Sequence, residues 1–194
     1  MKLVVLLGSI LLLSACGSMQ SQVVKKNVAF DPDSQAQIRS YGSYGSDLIR
    51  IYPETDCAKW EGTKRNAVNR RFVNGLPRKV RNISIGIPPT ELSRKTEKDT
   101  GFVFRDSYRE MVVSANQPVV LDGAFSSQTR NHHYSCRVAA SFTPKAGEAY
   151  EVRYLSEEEG CDIEVYHIGH EEKDGIRQTK KLTANYCARP GTSF

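Results

Sequence analysis

The sequence predicts an all-β fold, an antiparallel β-sandwich of immunoglobulin-like or transthyretin-like type stabilised by disulfides. Three observations carry that expectation. Apolar and polar residues alternate with a period of two, as on half-buried strands. About eight short strand candidates are separated by Gly, Pro and Asn signals, which is the spacing of a sandwich rather than of a parallel α/β sheet. Four cysteines, Cys57, Cys136, Cys161 and Cys187, are spread through the body of the chain.

Taken in order, Gln35 to Tyr41 and Asp47 to Tyr52 read as strands around Gly42-Ser43-Tyr44-Gly45-Ser46, a glycine-bearing loop that suggests a hairpin. Asn82 to Ile87, Tyr108 to Ser114 and Val119 to Phe125 are further strand candidates. A second hairpin is expected from Tyr134 to Phe142 and Glu148 to Leu155, joined by Thr143-Pro144-Lys145-Ala146-Gly147. A third joins Cys161 to Ile168 with Ile176 to Thr183 through a polar turn. Ser93 to Asp99 allows one or two turns of helix or a solvated loop.

The N-terminus has a different character. Lys2 precedes an unbroken apolar run from Leu3 to Leu7 and on, past Gly8 and Ser9, to Leu13, and small residues follow, the layout of a secretory signal. The run is shorter than the roughly 20 residues that a membrane-spanning helix needs. Leu13-Ser14-Ala15-Cys16 resembles a bacterial lipobox. That resemblance implies cleavage between Ala15 and Cys16, a diacylglycerol on the Cys16 sulfur and an acylated amino terminus, with each buried methylene contributing about 0.8 kcal/mol of anchoring. Gly17 and Ser18 stand where such lipoproteins carry an aspartate for inner-membrane retention, so the resemblance implies an outer-membrane anchor with a periplasm-facing domain. A leader with an ordinary cleavage site and a chance cysteine is the competing reading.

Removing fifteen residues from the 194 leaves 179, enough for one domain and a tether. The expected organisation is a signal at 1–15, the lipidated cysteine and a flexible linker at 16–27, and a β-domain at 28–194. With Cys16 assigned to lipid, an even four cysteines in an exported chain imply two bridges. Four cysteines allow three pairings. The preferred one is Cys136 with Cys161, closing neighbouring strands, and Cys57 with Cys187, tying the start of the domain to its end.

The segment Phe142-Thr143-Pro144-Lys145-Ala146-Gly147-Glu148-Ala149-Tyr150-Glu151-Val152, between Cys136 and Cys161, is similar to an F-x-P-x-x-G-x-x-Y-x-V pattern of small proteobacterial lipoproteins. The resemblance covers the leader and about the last third of the chain. It implies a β-rich periplasmic domain and carries no catalytic residue.

Charge is segregated. Between Cys57 and Asn82 eight bases face one acid, Glu61, a net of +7; between Glu148 and Asp174 ten acids face Arg153 and Lys173, a net of −8. Lys59, Trp60, Lys64, Arg65, Arg70 and Arg71 are the candidate binding residues, able to meet lipopolysaccharide phosphates, lipid headgroups or an acidic protein face. The bland alternative is that both blocks are solvated or neutralise each other. No nucleic-acid recognition module accompanies the basic run, so nucleic acid is not an expected partner.

His132-His133 and His167-x-x-His170, followed by Glu171 and Glu172, carry metal-ligand chemistry without the H-E-x-x-H helix pattern or C-x-x-C spacing, and no metal or other cofactor is expected. G-x-S-x-G, P-loop and S-x-x-K patterns are absent from the sequence. Asn82-Ile83-Ser84 is a glycosylation acceptor without consequence in a bacterial chain. The expectation is a non-enzymatic, lipid-anchored envelope protein that binds another envelope component, most plainly a protein of a secretion or assembly machine, through loops such as 57–99. The alternatives are a glycan- or lipopolysaccharide-binding protein or envelope hydrolase using the basic segment 57–82, and a protective lipoprotein of the outer leaflet.

Overall fold

The computed structural model describes residues 23–42, 48–61, 66–68, 72–73, 76–77, 81–99, 106–128, 130, 133–157 and 160–188. Cys16 and its leader, and the basic residues Lys64, Arg65, Arg70 and Arg71, lie outside them. The described chain is mostly strand with one short helix. Its elements are β1 (Val23–Lys25), β2 (Gln35–Gly42), β3 (Leu48–Tyr52), β4 (Asn66–Val68), β5 (Phe72–Val73), β6 (Leu76–Pro77), β7 (Asn82–Ser84), α1 (Glu91–Lys98), β8 (Ser107–Ser114), β9 (Val119–Gln128), β10 (His133–Phe142), β11 (Ala149–Glu157), β12 (Gly160–Lys173), β13 (Ile176–Leu182) and β14 (Asn185–Tyr186).

Two sheets form the body. One has seven strands in the order β1-β7-β8-β2-β11-β12-β13, and the other five in the order β14-β10-β9-β3-β4. The five-stranded sheet is antiparallel throughout. The seven-stranded sheet is mixed, because β1 with β7, β7 with β8, and β2 with β11 pair in parallel, which corrects the expectation of purely antiparallel pairing.

Two expected hairpins are instead passages between sheets. β2 belongs to the seven-stranded sheet and β3 to the five-stranded one; likewise β10 and β11 are separated. The physical reason is burial: Ile38, Ile49, Ile51, Val119, Leu121, Ala140, Val152 and Val165, drawn from both sheets, share one core. Placing consecutive strands in opposite sheets lets both bury their apolar faces in it. The Phe142 to Val152 segment makes the second passage. The Phe142 and Tyr150 rings pack edge to face at 5.2 Å, Lys145 N donates to Tyr150 Oη at 2.9 Å, and Gly147, at φ +77°, donates its N–H to Gln35 O. The third hairpin forms as expected. β12 and β13 pair antiparallel around Asp174 and Gly175, both at positive φ, with a register shift between Ile168 and Glu172.

The segment from Val23 to Lys25 is not linker. It pairs with β7, and Lys26 N donates to Ser84 O at 2.7 Å, so the sheet begins inside the stretch expected to be flexible. Helix α1 starts with a reciprocal cap in which Ser93 N donates to Thr90 Oγ1 at 3.2 Å and Thr90 N donates to Ser93 Oγ at 2.9 Å. Both preferred disulfides are present, Cys57–Cys187 and Cys136–Cys161. The second joins β10 to β12, and therefore staples the two sheets together rather than closing neighbouring strands.

Candidate functional site

The outer face of the seven-stranded sheet carries a buried row of charge. Arg39 on β2 stands directly opposite Glu110 on β8 and beside Glu151 on β11 in the strand register. The alternation that sends Ala36 and Ile38 into the core sends Arg39 and Tyr41 to the opposite face. There, α1 and the loop from Ile85 to Thr90 cover them, and Arg39 is only 1% exposed.

The row is densely hydrogen-bonded. Arg39 Nε and Nη2 donate to Glu110 Oε1 at 2.9 and 2.7 Å, Nη1 donates to Glu151 Oε1 at 3.0 Å, and Nη2 also reaches Ile87 O at 2.8 Å. Glu110 Oε2 accepts from the backbone N–H groups of Ile85, Gly86 and Ile87 and from Ser84 Oγ. Glu151 Oε1 also accepts from Tyr41 Oη at 2.5 Å and from Thr90 Oγ1. Burial works against the Arg39 charge, but Tyr41, Glu110 and Glu151 outweigh it and hold the guanidinium above its usual pKa. Burial, with Glu151 close by, pushes the Tyr41 phenol well up.

Beside this row an open groove of about 840 Å³ lies between α1 and the β12–β13 hairpin. Leu92 and Lys95 of the helix form one wall, Lys173 and Arg177 of the hairpin the other, and Arg153 and Tyr166 the floor. The hairpin is held against the loop before α1, because Arg177 N donates to Pro89 O at 2.8 Å. Arg153 of the floor donates to Glu164, which also accepts from Lys181 Nζ at 2.7 Å, and Arg153 lies over the Tyr166 ring at 5.3 Å. Burial raises the Glu164 pKa, but the bonds from Lys181, Arg153 and Tyr166 outweigh this and leave it lowered.

The five-stranded sheet repeats the device on its own outer face. Buried Asp122 pairs with Arg50 at 2.6 Å and with Arg137 at 2.8 Å. Trp60 covers it: the indole is 3% exposed, packs on Tyr52 with centroids 5.1 Å apart and has the Arg137 guanidinium 5.3 Å from its ring. Trp60 is thus a core residue with Val120, Ala139 and Cys187, not a side chain presented to a ligand. Its neighbour Lys59 is exposed.

Four acids of the stretch 148–174 have basic near neighbours. Glu151 meets Arg39, Glu164 meets Arg153 and Lys181, and Glu172 lies 3.6 Å from Arg177. Glu148 faces two histidines, with His167 Nε2 at 2.5 Å and His170 Nε2 at 3.7 Å. The hydrogen bond from His167 is the main cause of its lowered pKa. His133 lies apart from them on β10, 3.3 Å from Ser126 Oγ, and His132 is outside the described residues. No group of three or more His, Cys, Asp or Glu among the described residues is placed to hold a metal ion.

Arg39, Glu110, Thr90 and Glu151 escaped sequence reasoning. Arg39, Glu110 and Glu151 show locally only a charge within a strand pattern, and the side chains that Arg39 meets lie 51 to 112 residues away. No family model, curated protein or solved structure matches the chain, so the site is read from its own chemistry.

Proposed function

We propose that this chain is a lipid-anchored bacterial envelope lipoprotein, held through Cys16 at the outer membrane with its domain in the periplasm, and that it acts without catalysis as a binding module for another envelope protein. The domain itself is read as an immunoglobulin- or transthyretin-like sandwich, a reading supported by the core that both sheets share. The groove between α1 and β13 carries the functional reading. It adjoins β13, which among the described residues is the last strand of its sheet, and it is walled by Lys95, Lys173 and Arg177. A last strand offers backbone donors and acceptors to an extended partner segment, here along β13 after Arg177, whose N–H is already taken by Pro89 O.

Glu91, Glu151 and Asp174 are the groove's carboxylates, and Glu151 is turned to its neighbours, its Oε1 engaged by Arg39, Tyr41 and Thr90. A carboxylate so held is poorly placed to exchange its proton with a substrate, which weighs toward a binding role. The glycan or lipopolysaccharide reading draws on the basic segment 57–82. Trp60, its aromatic platform, is buried against Tyr52, which weighs against that reading.

A photo-crosslinking residue at Gln178, introduced into the full chain in intact cells, tests the proposal. Capture of one specific envelope protein, lost when Lys95 and Arg177 are both changed to Glu, is expected. Capture of no specific protein would overturn the adaptor reading, and labelling of purified lipopolysaccharide instead would favour the alternative.

A further inference from the structure

We infer that the partner of this groove is an extended polypeptide segment rich in acidic side chains, which adds to β13 as a further strand and hydrogen-bonds to the backbone of Thr179 and Lys181. This inference rests on the adaptor reading above and names the chemistry of its partner. The direction of the β13 backbone is set at two points. The Arg177 N–H points away from β12, since it donates to Pro89 O, and Gln178 O points toward β12, since it lies 3.3 Å from where a Cβ on Gly169 would stand. β13 is continuous from Ile176 to Leu182, so alternation along the strand turns the N–H and C=O of Thr179 and Lys181 outward with those of Arg177. Both residues are exposed, and β13 is the last strand of its sheet among the described residues. Thr90 already bridges to Arg177, and the open stretch begins after it.

Charge decides what can occupy that stretch. β13 carries Arg177, Lys180 and Lys181 and no acid. On the neighbouring strand, Glu164 is shared by Arg153 and Lys181, and exposed Lys180 stands opposite His167. The groove's acids other than Glu151 belong to the Arg177 end: Glu91 follows Thr90, which bridges to Arg177, and Asp174 lies in the turn before it. A second copy of the chain is disfavoured by the same cations. Antiparallel pairing of two β13 strands about Thr179 sets Arg177 opposite Lys181, and pairing about Lys180 or about Lys181 sets that lysine opposite itself. Like charges directly opposite destabilise a strand pair, whereas opposite charges favour it. Lysines on an edge strand keep identical edges apart, and here they leave an acidic strand as the complement.

The full chain with a photo-crosslinking residue at Gln178, in intact cells, provides the test, with the crosslinked peptide sequenced by mass spectrometry. A single peptide in which Asp and Glu outnumber Lys and Arg is expected. Thr179→Pro removes an outward N–H and leaves the ladder to β12 intact, so it should keep the wild-type melting temperature. It should lower capture by at least about tenfold, because strand addition draws its affinity from main-chain hydrogen bonds, while Thr179→Ala captures as the wild type does. Lys180→Glu, at an exposed position, should lower capture as far and Lys180→Arg should not, which decides the matter if Thr179→Pro does not fold. Undiminished capture by folded Thr179→Pro or by Lys180→Glu, or a captured peptide without an acidic excess, overturns strand addition and leaves the adaptor reading standing. Capture of a second copy of this chain, or of no specific protein, overturns both.

Discussion

Arg39 and Glu110 face each other across neighbouring strands with Arg39 Nη2 2.7 Å from Glu110 Oε1, both side chains at most 2% exposed. Such a pair gains little over a well-packed apolar replacement of both partners, but losing one partner leaves an uncompensated buried charge. Arg39→Met should therefore cost about 3–5 kcal/mol in urea unfolding, since Glu110 and Glu151 are both stranded. The triple change Arg39→Met, Glu110→Gln, Glu151→Gln should recover part of that loss. A single Arg39→Met with wild-type stability would contradict the buried row.

The two disulfides should each contribute about 2–5 kcal/mol, the range for native bridges in small exported domains. Cys57–Cys187 closes 130 residues of chain and Cys136–Cys161 closes 25, so the chain-entropy argument gives the first the larger effect. Paired Cys→Ala variants compared by thermal unfolding check both the size and the order.

Gly123 on β9 is required by packing, not by backbone conformation. A Cβ there would lie 2.2 Å from Tyr154 Cδ2, on the strand of the opposite sheet. Gly123→Ala should destabilise by about 1–3 kcal/mol through overpacking, and Tyr154→Leu in the same chain should relieve the clash. Additive losses in the double variant would argue against direct contact.

Glu148 predicts a pH dependence. His167 holds its folded pKa below the ordinary 4.5, so its contribution to stability is complete above the unfolded value and is lost as pH falls through the folded one. Denaturant midpoints measured downward through the carboxylate range should fall less steeply in Glu148→Gln than in the wild type.

Trp60→Ala should unfold the domain more readily, by about 3–5 kcal/mol, because the indole is a buried cover over Tyr52 and Arg137. Trp60→Phe should retain most of the stability. A Trp60→Ala variant with unchanged melting temperature would place the indole outside the core.

Much of the secondary structure is legible in the residues. The alternation at Ile49 and Ile51, at Val138, Ala140 and Phe142, and at Tyr150, Val152 and Tyr154 marks strands β3, β10 and β11, and Asp174-Gly175 marks the tight turn of the third hairpin. Loop chemistry misleads at Gly42-Ser43-Tyr44-Gly45-Ser46 and at Thr143 to Gly147. Pro and Gly identify a change of direction but do not say whether the chain turns back on its own strand or crosses to another sheet. The candidate binding residues fared unevenly for a related reason: hydrophobicity alone does not separate an indole offered to a ligand from one that covers Arg137.

By itself, the sequence determined that the body is β-rich, where many of its strands and its turn lie, and that four cysteines can make two bridges without saying which pairs form, because period, turn residues and cysteine count are local or countable properties. Tertiary structure alone decided that β2 and β3 part company, that Cys136–Cys161 bridges two sheets, and that Arg39 meets Glu110 and Glu151. Those outcomes depend on pairing between residues far apart in the chain, and pairing is set by which faces must be buried together in one core.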